Sequence, residues 1–143
     1  MEYFCVEPEV AGGLGPLTVM DATTHPPIVS KLHYYFDGWL GNVLLETFPC
    51  FIVTDGARQA LQAIDATGAK FDEVEVTVSE QFEELYPNKQ LPKFVWLKAD
   101  GKPKFDDFAT TPDGRLIVSA RALEVLQGLG ISNALITPSS AWS

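Results

Sequence analysis

The sequence predicts an α+β fold, a single compact domain in which short helices pack on a mostly antiparallel sheet. Three observations lead there. The chain has 143 residues, 46% of them hydrophobic and 20% charged, which is enough for one core and leaves no room for a second domain. Short β-branched runs alternate with amphipathic stretches that begin after a Thr or Ser. One such strand-helix-strand unit recurs, which points to a pseudo-repeat.

The elements follow in order. Residues 1–48 form an irregular N-terminal part, because Gly and Pro interrupt them at AGGLGP, at THPPIV and at Phe48–Pro49. Within it, Leu32 to Leu45 is dense in aromatics but carries two glycines and no sustained helical period, and it reads as a short helix or an irregular packed segment. Residues 49–137 hold the strand-helix units. Cys50–Val53 is a strand, Thr54 a helix cap, and Ala57, Ala60, Leu61 and Ile64 make one apolar helix face, closed by Gly68. Phe71 to Val78 alternates Val74, Val76 and Val78 with polar residues, as a strand with one wet face does. Ser79 caps a short acidic helix to Tyr86, on which Phe82, Leu85 and Tyr86 are expected to face inward.

Phe94 to Lys98 reads as a strand, followed by a turn at Asp100–Gly101 and a polar loop to Asp113–Gly114. Arg115 to Val118 is the next strand, Ser119 the next cap, Ala120 to Leu129 a helix closed by Gly130, and Ala134 to Thr137 the last strand. Residues 138–143 read as a flexible tail that includes Trp142.

At an offset of 65 residues, Ile52, Val53, Thr54, Ala57, Leu61 and Gln62 match Ile117, Val118, Ser119, Ala122, Leu126 and Gln127. Two copies are too few for a solenoid and imply a pseudo-twofold domain. A coincidence between two short strand-cap-helix units would give the same match.

Charge narrows the function. The chain carries 19 Asp and Glu against 10 Lys and Arg, a net charge of -9. A nucleic-acid partner draws its affinity from Lys and Arg on phosphates, and an anionic lipid surface attracts cations, so both are disfavoured. Solubility alone, or steering towards a basic partner, accounts for such a charge. No apolar run reaches the length of a membrane span and the N-terminus is acidic where a signal peptide is basic, so a cytoplasmic protein is expected. Cys5 and Cys50 lie in apolar stretches with no CxxC spacing, as buried free thiols do.

Catalytic material is sparse. His25 and His33 have no Cys, Asp or Glu at metal or triad spacing and read as surface or packed residues. The Gly12 to Gly15 stretch lacks the Lys-Ser/Thr and the following helix of a phosphate loop. No catalytic residue, metal or cofactor is expected. The candidate contacts are for a protein partner: Asp106, Asp107 and Phe108 in the FDDF loop, where a ring would anchor and carboxylates would meet Arg or Lys, and Glu80, Glu83 and Glu84 on the acidic helix. The bland counterparts are a solvated turn between two core rings, Phe105 and Phe108, and a solvated helix face.

The stretch FVWLKADGKPKFDDF, followed by GRLIVSARALEVLQGLGISNALI, resembles bacterial immunity proteins of polymorphic and interbacterial toxin systems, and PCFIVTDGARQAL is similar to an earlier unit of the same family. The resemblance covers about Pro49 to Thr137 and rests on packing signatures. It implies a non-enzymatic protein that binds a cognate toxin domain, itself basic, and covers its active site. It assigns no contact residues, so the six candidates rest on charge and exposure. Two other readings stay open: a small ligand-binding or enzymatic α+β domain with its site in residues 1–48, and a dimerisation module using residues 32–45. The oligomeric state is not legible.

Overall fold

The computed structural model describes residues 2–139, so Trp142 and all but the start of the expected tail lie outside the described residues. The chain opens with β1 (Tyr3–Glu7), β2 (Gly12–Leu14), β3 (Val19–Asp21), β4 (Ile28–Lys31), β5 (His33–Phe36) and β6 (Leu44–Thr47). β7 (Cys50–Thr54) leads into α1 (Asp55–Ala63), β8 (Ala69–Asp72), β9 (Glu75–Val78) and α2 (Glu80–Leu85). β10 (Phe94–Ala99), β11 (Phe108–Thr110), β12 (Leu116–Ser119), α3 (Ala120–Leu129) and β13 (Leu135–Pro138) follow. The fold is α+β with strands dominant and mostly antiparallel.

Two four-stranded sheets share one plan. Their orders are β6-β7-β10-β8 and β11-β12-β1-β13. In each, a strand feeds a helix and the chain returns to a strand on the far side of an antiparallel partner, β10 in one sheet and β1 in the other. The registers correspond as well. Trp96 pairs with Ile52 and Asp72, while Cys5 pairs with Ile117 and Thr137, so the 65-residue offset read from the sequence holds on both flanking strands. The preceding strands match too, Leu44 opposite Val53 and Phe108 opposite Val118.

Both units start their helices by the same chemistry. Thr54 Oγ1 accepts the Ala57 N–H at 3.1 Å and Ser119 Oγ accepts that of Ala122 at 3.3 Å, each satisfying an orphan donor of the first turn. Each unit also clamps the loop behind the other's helix. Ahead of β6, Asn42 Oδ1 accepts the Asn133 N–H at 3.0 Å, and ahead of β11, Asp107 Oδ2 accepts the Thr67 N–H at 2.8 Å.

The main core lies where α1 and α3 meet the two sheets, and gathers Phe51, Val53, Leu61, Phe108, Val118 and Leu126. The other face of β7 and β10 packs through Ile52, Phe94 and Trp96 on a second core, with Leu32, Tyr34 and Phe36 of the β2-β5-β9 sheet and Phe82 of α2. Covered on both faces, β7 is apolar in four consecutive residues instead of alternating. β3 and β4 form a separate two-stranded ribbon.

Four local readings are corrected. Residues 32–45 are not a helix: they hold β5 and the start of β6 with an irregular connection over 37–43, and Leu32, Tyr34 and Phe36 point inward at the period of a strand. Aromatics on both faces of β5 masked that period. Phe71 to Val78 is two strands, because the Asp72 carboxylate accepts the Glu73 N–H at 2.8 Å and the chain passes from β10 to β5. α1 ends at Ala63, ahead of Gly68. Asp65 takes the left-handed conformation (φ 52°), and the N–H groups of Asp65 and Ala66 bond back to Gln62 and Leu61 in a Schellman motif. Gly68 (φ 78°) instead permits a close approach, since a Cβ there would lie 2.2 Å from the Phe108 carbonyl, where two backbones cross. That crossing accompanies β11, a strand inside the expected polar loop.

Candidate partner-binding surface

α2 is held by few groups. Ser79 donates its N–H to the Phe36 carbonyl at 2.9 Å, tying the helix start to the end of β5, and its Oγ accepts the Phe82 N–H at 3.1 Å. Phe82 is buried and stacks on Tyr86 at 5.3 Å. This single anchor leaves Glu80, Glu83 and Glu84 exposed, with Glu80 and Glu83 in the first turn, where the helix dipole favours them. Leu85 does not face inward as expected. A helix of six residues buries one narrow stripe, and Leu85 is 59% exposed while Tyr86 is half-buried.

The same negative face continues along β9, where Glu75 and Thr77 point outward, and through Glu73. Asp72 is neutralised by Lys98 at 2.9 Å, which holds its carboxyl below the usual range through the hydrogen bond and the charge of Lys98. Among the described residues, Glu73, Glu75, Glu80, Glu83 and Glu84 make no ion pair. Beside this face lies a cleft of about 710 Å³ between β9 and the start of β10, with Phe71, Leu32 and Phe94 in its lining, Glu73 and Glu75 on one side, and Arg58 and Lys93 on the other.

The FDDF loop is not what its composition implied. Asp107 is 3% exposed and wholly engaged inside the fold. Its Oδ1 accepts from Ser119 Oγ at 2.5 Å and Arg121 Nε at 2.9 Å, and its Oδ2 from Arg121 Nη2 at 2.6 Å and the Thr67 N–H at 2.8 Å. Burial pushes this carboxyl up, but the bonds from Arg121, Ser119 and Thr67 outweigh it and hold it well below the usual carboxylate range. Phe108 is fully buried in the main core. Neither residue can reach a partner, so both are withdrawn as contacts. Asp106, in the bend ahead of β11, is left half-exposed and accepts the Lys102 N–H at 2.7 Å. The ring that does stand free is Phe105, 75% exposed. Of the six candidates, the structure brings Glu80, Glu83 and Glu84 together and leaves Asp106 apart on another loop.

The remaining polar groups serve the fold. His33 is buried, with Nδ1 accepting the Leu17 N–H at 3.1 Å; Nε2 therefore carries the proton and donates to Thr77 Oγ1 at 2.7 Å. His25 is exposed and lies 6.0 Å from the Phe48 ring. Gly12 belongs to β2, where a Cβ would collide with the Tyr35 carbonyl, so the glycine stretch serves close strand pairing. Cys5 and Cys50 are buried free thiols. Among the described residues no cluster of three His, Cys, Asp or Glu is placed to hold a metal, and no helix is long and apolar enough to cross a membrane.

Sequence reasoning missed the cleft, whose walls come from segments far apart in the chain, and the partners of Asp107. Thr67 and Arg121 lie 40 and 14 residues away from Asp107, and no local pattern links them. No protein-family model matches the chain, and no curated protein matches it either.

Proposed function

We propose that the chain is a non-enzymatic immunity protein that binds a cognate bacterial toxin domain and covers its active site with the acidic face of β9 and α2. The observation that supports this is the run of Glu73, Glu75, Glu80, Glu83 and Glu84, exposed and making no ion pair among the described residues. Carboxylates left unpaired on one face raise the negative potential there and attract a basic cleft of the kind that holds nucleic acid or nucleotides. The enzymatic alternative placed a site in residues 1–48, where Tyr34, Phe36 and Trp39 pack in the second core and both ring nitrogens of His33 are engaged.

The test is a search of the neighbouring reading frames for a toxin domain and association with each such domain found, followed by rapid mixing across a salt series. Steered association falls steeply as salt rises, by roughly tenfold or more, and the triple variant Glu80→Lys, Glu83→Lys, Glu84→Lys removes most of that dependence. A complex whose formation ignores both salt and the triple variant overturns the electrostatic reading, and absence of any complex overturns the function.

A further inference from the structure

The strand that begins as β8 changes partners midway. It pairs with β10 only as far as the Trp96–Asp72 pair, then crosses to β5 as β9. β10 runs on for two more residues, Phe94 and Val95, whose pairing is with β7 alone. β9 is an edge of its own sheet. The N–H groups of Glu75 and Ser79 donate to the carbonyls of Leu32 and Phe36, on the β5 side, at 3.0 and 2.9 Å. Alternate residues of a strand turn their backbone groups to opposite edges, so Val76 and Val78 of β9 direct theirs away from β5, and Val74 stands at the same parity just ahead of the strand. Val74 and Val76 also line the cleft between β9 and β10.

We infer that this cleft receives an extended segment of the partner protein, added as a strand to the free edge of β9. An open edge supplies the backbone bonds of such an addition and alternate side chains supply its specificity. On the inner side the segment meets the half-buried Phe71, Val74 and Val76, which take apolar side chains. On the outer side it meets Glu73 and Glu75, which take basic ones. The occupant is thus a segment of alternating apolar and basic residues whose basic side chains run along Glu73 and Glu75, across the cleft from Lys93 and from Arg58, which is already paired with Asp55 at 2.7 Å. Its identity as part of a toxin rests on the function proposed above, whereas the edge and the cleft do not.

The probe is a short blocked peptide of alternating arginine and valine, with a glutamate-valine peptide as control. Added to the whole chain, the arginine peptide slows exchange of the Val74 and Val76 amides by about tenfold or more; the control does not. Val76→Pro removes one outward N–H while leaving the bonds of Glu75 and Ser79 to the β5 side, and abolishes the protection at Val74, the amide of the pair that remains. If that variant does not fold, Glu73→Lys with Glu75→Lys, both exposed, tests the same site by exchanging the preference towards the glutamate peptide. Unchanged exchange at Val74 and Val76 with the arginine peptide in excess overturns the inference, as does protection confined to α2. A toxin complex in which these amides still exchange freely rejects the inference and keeps the function; peptide addition without any toxin complex does the reverse.

Discussion

Asp107 and Arg121 form a two-point ion pair, Nε to Oδ1 at 2.9 Å and Nη2 to Oδ2 at 2.6 Å, that locks the two repeated units together. Arg121 belongs to α3, yet its remaining N–H groups donate to the Ile64 and Asp65 carbonyls that close α1. A cation at the negative end of α1 and a buried carboxylate at the start of α3 satisfy each other and both helix ends.

Asp107→Ala leaves the Thr67 N–H, Ser119 Oγ and Arg121 without their acceptor. Breaking a buried pair costs about 3–5 kcal/mol, and the half-exposed Arg121 places this loss near the lower end. Urea unfolding monitored through the tryptophans measures it, and a change below about 1 kcal/mol refutes the role.

The pH dependence follows from the same carboxyl. Its folded pKa is depressed, so the stability it contributes is present above the ordinary Asp value of about 3.9 and is lost as pH falls below it. Glu46 acts with the opposite sign: burial, then the charge of Glu7, raises its carboxyl, so its contribution is present below the ordinary value and is lost as pH rises through the raised one. Asp107→Asn therefore flattens the acid limb of stability against pH, and Glu46→Gln raises the urea midpoint at neutral pH while changing little in acid.

Tyr34→Phe tests the second core. The Tyr34 hydroxyl accepts the Ala11 N–H and donates to the Glu46 carbonyl, each at 2.9 Å, in a buried position. Losing it costs about 1–3 kcal/mol for the groups left unpaired, measurable as a lower urea midpoint with the secondary structure unchanged.

The two thiols are chemically quiet in the folded chain. Burial pushes Cys50 up to about 12, and burial with the nearby Glu7 charge raises Cys5. Neither forms thiolate readily at neutral pH. A disulfide exchange reagent finds no reactive thiol in native buffer and both in denaturant; rapid reaction in native buffer contradicts the packing.

Local chemistry was legible wherever it is set by neighbours in sequence. Thr54, Ser79 and Ser119 cap the helices they precede, and α3 runs from Ala120 to Leu129 as its apolar spacing predicts. The repeat was legible too, since a strand, a hydroxyl cap and an apolar helix stripe are all local patterns. The candidate site was legible only on α2. Charge shows in a sequence but burial does not: Asp106 and Asp107 look alike as letters, and an Arg 14 residues further on decides that one of them is interior.

By itself, then, the sequence determined an acidic α+β chain with a repeated strand-cap-helix unit, because propensity, capping and period are local properties. The tertiary structure alone decided that Asp107 is a buried clamp, that Phe105 and not Phe108 is the free ring, and that β8 and β9 part to leave an open edge above a cleft. Each of these depends on which distant strand a residue meets, and the free energy of that meeting comes from burial and pairing across the fold rather than from any neighbour in the chain.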